Sequence, residues 1–264
     1  LSLIAIIILG IIQGLTEFFP VSSSGHLVLF QNMFGLKEPQ IFVDVMLHVG
    51  TLISLFVFLR QELLQLFRGF LLLLKNPRKY YSDPRVKRIF ALAVASIPTF
   101  LIGYFFSDFF ESLFASLRTV GIALIITGSF LFLTKWARIK QKNDLLHPFI
   151  IGVLQGAAIV PGFSRSGLTI GGAMFLGWKR EDAARFSFLL SIPAICGAAV
   201  FQLGRIDPGS QPWPIIVIGV VVSAIVGYIA LVLLVSVINR GKFYAFSFYC
   251  FVIGITAIAL SFSI

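Results

Sequence analysis

The chain has 264 residues, of which 58% are hydrophobic and 12% charged, and its mean hydropathy is +0.98; a soluble domain is roughly half apolar and a quarter charged. A water-soluble globular fold is excluded. The formal net charge of +10 resides in a few short loops between apolar runs, which is the pattern of membrane orientation and not of nucleic-acid binding.

About 20 apolar residues are needed to cross roughly 30 Å of hydrocarbon at 1.5 Å per residue. The first run, Leu3 to Leu15, is shorter than that, and so is the next, Gly25 to Phe34. The N-terminus has no basic n-region and no small-residue cleavage site, so it reads as structure and not as a signal peptide; a start at Leu1 without Met reads as a trimmed chain. Phe42 to Leu59 is the first full span. Gln61 to Leu74, which carries Arg68, either extends it or lies on the cytoplasmic surface. Full spans follow at Ile89 to Phe106 and Thr119 to Trp136, then two more short runs at Pro148 to Ile159 and Gly167 to Leu176, then spans at Ala183 to Leu203, Pro214 to Ile238 and Phe243 to Phe262. The short runs pair as re-entrant hairpins. Cys196 and Cys250 lie inside apolar runs and read as small buried hydrophobes.

Arg60, Arg68, Lys75, Arg78, Lys79, Arg85, Lys87 and Arg88 precede the second span, and Lys135, Arg138, Lys140 and Lys142 follow the third. Both loops are expected to be cytoplasmic. Lys179, Arg180 and Arg185, and Arg240 with Lys242, fall on the same side, whereas the loops around Asp108, Glu111 and Arg118, and around Arg205 and Asp207, are balanced or acidic. Six crossings then leave both termini outside.

The segment LGIIQGLTEFFPVSSSGHL from Leu9 aligns with IGVLQGAAIVPGFSRSGLT from Ile151 at a constant shift of 142. Gly10, Gln13, Gly14, Ser22, Ser24 and Gly25 match Gly152, Gln155, Gly156, Ser164, Ser166 and Gly167. Chance likeness between apolar helices would match Leu and Ile, not these polar and small residues. Each copy precedes three spans, so the second must enter from the opposite face. The expected fold is an all-α polytopic membrane protein with six transmembrane helices and two re-entrant helical hairpins in an inverted-topology repeat. It forms a single integral membrane domain over 1–264, with repeat one at 1–142 and repeat two at 143–264. Ser96-Ile97-Pro98 and Ser191-Ile192-Pro193 echo each other at a different shift and read as proline kinks.

Non-helical backbone at membrane depth survives only where protein or a watery cavity satisfies it. The breaks at Phe19-Pro20 and Pro161-Gly162 are expected to line such a cavity. Ser22, Ser23 or Ser24, and Ser164 or Ser166, are suitable N-caps for the half-helices that follow, and two helix N-termini meeting there favour an anion. Arg165 adds a planar cationic fork suited to phosphate oxygens. Glu17 lies one turn after Gln13 on the same helical face, in an apolar stretch where a carboxylate is functional by default. With His26 just past the break, the set resembles phosphoester chemistry.

Plainer readings exist for each residue. The serines are also common packing residues of membrane helices, Glu17 could be only the ion-pair partner of Arg165, and His26 a capping or interfacial histidine. Asp44 and His48, one turn apart on the first full span, are either metal ligands or supports, and support is the preferred reading. Lys179, Arg180, Glu181 and Asp182 read as a solvated loop. Thr169, at the position matching Leu27, is evenly balanced between site and scaffold.

Gln13-Gly-Leu-Thr-Glu17-Phe-Phe-Pro-Val-Ser-Ser-Ser-Gly-His26 and Pro161-Gly-Phe-Ser-Arg-Ser-Gly-Leu-Thr169 resemble the two signatures of the bacitracin-resistance type of undecaprenyl-diphosphate phosphatase. The resemblance extends over the whole chain in length, span order and repeat. It implies hydrolysis of undecaprenyl diphosphate to the monophosphate and inorganic phosphate in the bacterial plasma membrane, recycling the lipid carrier of cell-wall synthesis and countering bacitracin. The family pattern falls on Gln13 and Glu17, on Ser23 and His26, and on Pro161 through Thr169; together with the reading of the breaks, Glu17, Ser23, His26 and Arg165 are expected to be catalytic, and Gln13, Gln155, Ser22, Ser24, Ser164, Ser166 and Thr169 to bind substrate. The nucleophile stays open between Ser23, His26 and an activated water. A divalent cation, Mg²⁺ or Ca²⁺, is implied as well. Gln13 stands where the family pattern also allows an acid, so the expected cation is held mainly by Glu17 and the diphosphate. The rival class is a transporter or flippase of a phosphorylated polyprenyl lipid, since broken midplane helices also serve transport. The expected partners are the lipid diphosphate and the bilayer, with no nucleic acid; Gly-rich packing surfaces leave a homodimer open.

Overall fold

The computed structural model describes residues 2–34, 40–113, 116–140, 146–203 and 213–262. Among them the regular structure is entirely helical. In chain order the helices are α1 (Leu3–Phe18), α2 (Ser23–Met33), α3 (Ile41–Phe58), α4 (Arg60–Lys75), α5 (Pro77–Tyr80), α6 (Pro84–Phe105), α7 (Ser107–Leu113), α8 (Leu117–Leu133), α9 (Leu146–Ala157), α10 (Arg165–Phe175), α11 (Arg180–Leu203), α12 (Trp213–Asn239) and α13 (Phe246–Leu260). Single 3₁₀ turns extend α8 through Trp136 and precede α13 from Phe243.

Five helices, α6, α8, α11, α12 and α13 with their 3₁₀ extensions, are long and apolar enough to cross a membrane, and α3 followed by α4 makes the sixth candidate. The chain is a multi-pass membrane protein. At Leu59 the chain bends by 78° between α3 and α4, so Gln61 to Leu74 leaves the axis of α3 at a steep angle. The buried face of α4 carries Gly69 against Arg85 of α6, where a Cβ would come within 2.9 Å of the Arg85 Cβ. α6 starts on Asp83, whose carboxylate accepts from the Arg85 amide at 2.9 Å and from its guanidinium at 2.8 and 3.0 Å. That guanidinium holds the half-buried Asp83 carboxyl down at about 2.

The helix ends sort onto two faces. Arg185 at the start of α11 pairs with Glu62 just past the end of α3, Lys135 at the end of α8 lies over Tyr244 before α13, and the Arg180 guanidinium lies against Gly241 after α12. The basic loops therefore share one face of the molecule, as the charge pattern predicts. Arg205, Asp207 and Lys142 lie outside the described residues.

Small residues seat the short helices against full-length ones. A Cβ on Gly10 would be 3.0 Å from Gly219 O, and one on Gly14 would be 2.8 Å from Gly227 N, so α1 runs parallel to α12 in near-backbone contact. In the other half, a Cβ on Gly152 would be 2.0 Å from Ala95 O and one on Gly156 2.6 Å from Ile102, which places α9 alongside α6. α12 runs toward the basic face and α6 away from it, so α1 and α9 penetrate from opposite faces. Along α12, Gly219, Ser223, Gly227, Ala230 and Leu234 are buried, while Val217, Val221, Ile225, Ile229 and Leu233 are exposed on the opposite side. The interior is small and the outer stripe is branched and apolar, as lipid contact requires.

Candidate active site

Both breaks use one device. Ser22 Oγ accepts from Gly25 N at 3.2 Å and is hydrogen-bonded to the Ser24 hydroxyl at 3.3 Å. Ser164 Oγ accepts from Gly167 N at 3.0 Å and is hydrogen-bonded to the Ser166 hydroxyl at 3.2 Å. Each serine caps a half-helix three residues on. Ser22 does so from a φ of 68°, a left-handed conformation that costs a non-glycine residue energy and tends to be kept where function holds it. In the second break that conformation falls on Gly162, φ 96°, where a Cβ would also strike Val120 O at 2.4 Å.

The breaks touch. Ser166 Oγ donates to Phe19 O at 3.3 Å, a Cβ on Gly167 would be 3.3 Å from Pro20, and a Cβ on Gly25 would be 3.3 Å from Gly162. Spans tie them down: Thr127 Oγ1 donates to Gly162 O at 3.4 Å and accepts from Ser164 N at 3.3 Å, and Cys250 Sγ donates to Pro20 O at 3.4 Å. α2 and α10 thus both begin at this contact, and the amides of each first turn lack intrahelical partners.

Glu17, at the end of α1, is the hub. Its Oε1 accepts from Arg165 Nη2 of α10 at 2.6 Å. Its Oε2 accepts from Ser23 Oγ of α2 at 2.7 Å and from Gln13 Nε2, one turn back, at 2.9 Å. His48 of α3 brings Nε2 to 3.4 Å from the same oxygen. Four helices converge on one carboxylate whose side chain is only 4% exposed, against 17% for Arg165 and 29% for His48. A charge so buried is tolerated because each oxygen is paired and hydrogen-bonded.

The remaining predicted residues are arranged around this hub without contacting the carboxylate. The His26 ring nitrogens lie 2.8 Å from Ser22 O and 2.8 Å from Tyr249 OH of α13. A carbonyl only accepts, so Nδ1 carries a proton, while Nε2 shares a hydrogen bond with the tyrosine hydroxyl, on whose ring the imidazole also stacks. Thr169 Oγ1 is 2.8 Å from Arg165 O and 2.5 Å from Ser187 Oγ, fully buried behind the arginine. Gln155 donates to Thr99 Oγ1 at 3.3 Å and Leu190 O at 3.5 Å. Gln13 and Gln155 each keep a buried side-chain carbonyl oxygen without a hydrogen-bond partner among the described residues.

Comparison with known sequences decides the lineage. The family model described as Bacitracin resistance protein BacA matches residues 6–256. The chain belongs to the BacA family. Among curated relatives, the undecaprenyl-diphosphatase of Carboxydothermus hydrogenoformans is 42% identical over 96% of this chain and 95% of its own. That of Halothermothrix orenii is 39% identical over 99% of both, and that of Korarchaeum cryptofilum is 38% identical over 96% of this chain and 97% of its own.

Two residues gain weight that the BacA signatures did not give them. His48 contacts Glu17 directly; its Nδ1 donates to Asp44 O at 2.7 Å and its Nε2 faces the carboxylate, so both nitrogens face oxygen atoms. Asp44 itself accepts from Gln31 at 2.7 Å and supports the ring through its backbone. Tyr249, an unremarkable aromatic in an apolar run, holds His26. The spacing of Asp44 and His48 was a usable signal for the first; nothing in the sequence pointed to the second.

The donor set does not make a protein-held site for a divalent cation. Among the described residues no group of three His, Cys, Asp or Glu side chains is placed to hold a metal ion. Both Glu17 oxygens already face hydrogen-bond donors, and Gln13 turns its amide toward the carboxylate with its carbonyl oxygen elsewhere.

Proposed function

We infer that this chain is an undecaprenyl-diphosphatase: a membrane-embedded hydrolase that releases inorganic phosphate from undecaprenyl diphosphate and leaves the monophosphate. By lowering the diphosphate pool it supports bacitracin resistance. The observation that carries the reading is a hydroxyl, a carboxylate and a guanidinium brought into one hydrogen-bonded chain, Ser23 to Glu17 to Arg165, where two broken helices meet. A transporter needs an anion site but no hydroxyl poised on a base.

In the proposed reaction Glu17 takes the Ser23 proton as Oγ attacks the terminal phosphorus. The Oγ–P bond forms, the bond from phosphorus to the bridging oxygen breaks, and the lipid monophosphate leaves with the electron pair. Water then displaces the phosphoryl group from Ser23; the serine recovers the proton held by Glu17, and the released phosphate keeps both hydrogens of the water. Arg165 and the first-turn amides of α2 and α10 offset the negative charge on the phosphoryl oxygens. Ser23 is preferred over His26 as nucleophile because the hydroxyl already donates to Glu17, while both histidine nitrogens are engaged. Gln13 and His48 hold the carboxylate, and Ser22, Ser24, Ser164, Ser166, Thr169 and Gln155 shape the breaks. A divalent cation fits this scheme as cargo on the diphosphate oxygens, since the free oxygens there belong to the substrate.

We further place the chain in the bacterial plasma membrane with the basic loops cytoplasmic and both termini outside. The two matched segments support a duplication at about residue 142, and the exchange of α1 onto α12 and α9 onto α6 is the packing such a duplication would leave. Phe18, Phe188 and Phe58 stack edge to face at centroid distances of 6.3 Å between Glu17 and the basic face. This aromatic plug favours approach of the diphosphate from the opposite, outer face. The test is phosphate release from undecaprenyl diphosphate by the detergent-solubilised protein. Turnover is expected; binding of the lipid with no phosphate released would favour a transporter.

A further inference from the structure

A cavity of about 340 Å³ lies on the basic face where the end of α3, the bend into α4, the start of α11 and the end of α12 come together. Its walls are of two kinds. One is apolar, formed by Phe58, Tyr228, Val235 and Ile238, and it runs out to Val57 and Tyr228, which are 53% and 42% exposed on the lipid-facing side of the protein. The other is polar and carries Arg60, Gln61 and Asn239.

Its lining holds two arginines and two carboxylates, and their pairing is uneven. Its two carboxylates, Glu62 and Glu181, are both paired with Arg185, the latter at 3.1 Å. Arg60 has no hydrogen-bond or ion-pair partner among the described residues. The adjoining turns add Arg180, Arg240 and Lys242 against Asp182. An unpaired guanidinium at the mouth of an apolar groove, on a basic rim, is complementary to a phosphate joined to a hydrocarbon chain. A free anion would leave the apolar wall unused, and an apolar ligand would leave Arg60 unpaired.

We propose that this cavity is a binding site for an anionic phospholipid, with the headgroup phosphate on Arg60 and an acyl chain along Val57, Tyr228 and Val235. It is separate from the site at Glu17: Phe58 closes its inner end against Phe188, which in turn packs on Phe18, and Phe18 and Phe188 are each 1% exposed. The proposal does not depend on which reaction Glu17 serves.

The experiment is native mass spectrometry of the full chain released from detergent micelles doped with dioleoyl phosphatidylglycerol or with dioleoyl phosphatidylcholine, comparing the wild type with Arg60→Ala, Arg60→Lys and the cavity-filling Val235→Phe. The wild type is expected to keep phosphatidylglycerol in preference to phosphatidylcholine. Arg60→Ala should weaken that adduct by about tenfold or more, the scale of one charge-assisted hydrogen-bonded contact, with Arg60→Lys in between, and Val235→Phe should weaken both lipids. Phosphate release by Arg60→Ala should stay within about twofold of wild type, as expected for a residue remote from the reacting atoms. Equal retention of phosphatidylglycerol by wild type and Arg60→Ala would overturn the proposal. So would equal binding of the two lipids by the wild type, or displacement of the lipid by inorganic phosphate alone.

Discussion

Ser23 Oγ donates a 2.7 Å hydrogen bond to Glu17 Oε2 across the break between α1 and α2. The chain reverses between these two residues, so the contact exists only because Ser22 takes a left-handed backbone and caps α2 through Gly25. Glu17→Gln keeps the size of the side chain and removes the base. Its phosphate release should fall by about 10²–10⁴-fold, the usual contribution of a positioned acid-base group, while the variant still extracts and runs as a monodisperse species on size exclusion. Near-normal turnover would remove Glu17 from the chemistry.

Arg165 joins the second break to the first through its 2.6 Å contact with Glu17. Arg165→Ala strands a buried carboxylate, so two losses are expected together: about 3–5 kcal/mol of stability and about 10²–10³-fold in kcat. Arg165→Lys separates them. It restores charge but not the fork, so thermal stability in detergent should recover more than kcat does. Equal recovery of both would mean the guanidinium geometry is unimportant.

His48 sits at 3.4 Å from Glu17 Oε2 and is held by Asp44 O. His48→Ala removes one of the contacts that orient the carboxylate and should lower kcat by about 10–100-fold, the scale of a hydrogen bond to a charged group, with a smaller change in KM. His48→Gln, which can still donate toward Glu17, should regain part of the rate. If the glutamine variant is no better than alanine, His48 acts through something other than that contact.

The seat of α9 on α6 sets the depth of the second break. A Cβ at Gly152 would lie 2.0 Å from Ala95 O, and backbone cannot yield as a side chain does. Gly152→Ala should destabilise the protein by about 1–3 kcal/mol, seen as a lower melting temperature in detergent. Gly197→Ala is the control, because nothing lies within 4 Å of a Cβ there, and it should melt no lower than wild type, since an alanine in an open helical position gains about 0.5–1 kcal/mol over glycine.

Much of the fold was legible because bilayer thickness makes apolar run length a direct measure of a helix. All ten expected apolar helices are present within a few residues of their expected ends, and five of the six expected spans are long and apolar enough to cross a membrane on their own, α3 reaching that length only together with α4. What run length could not give was the bend at Leu59, because Arg68 in an apolar run suits either an extended span or a surface helix. At the site, the matched serines and glycines announced two breaks, and the pairing of Glu17 with Arg165 was one of the readings their isolation in apolar surroundings allowed. The partners of His26 were not legible: Tyr249 is 223 residues away, and a tyrosine among phenylalanines carries no pattern. His48 was visible only as one turn from Asp44, and only the packing of α3 on α1 shows that it, and not Asp44, reaches Glu17.

The most direct test of the account is phosphate release from undecaprenyl diphosphate by purified Ser23→Ala in detergent, with folding checked by size exclusion. Loss of the nucleophile should reduce turnover to about 10⁻³ of wild type or less, the range seen when an attacking group is deleted. A folded Ser23→Ala protein that releases phosphate at a rate near wild type would contradict it.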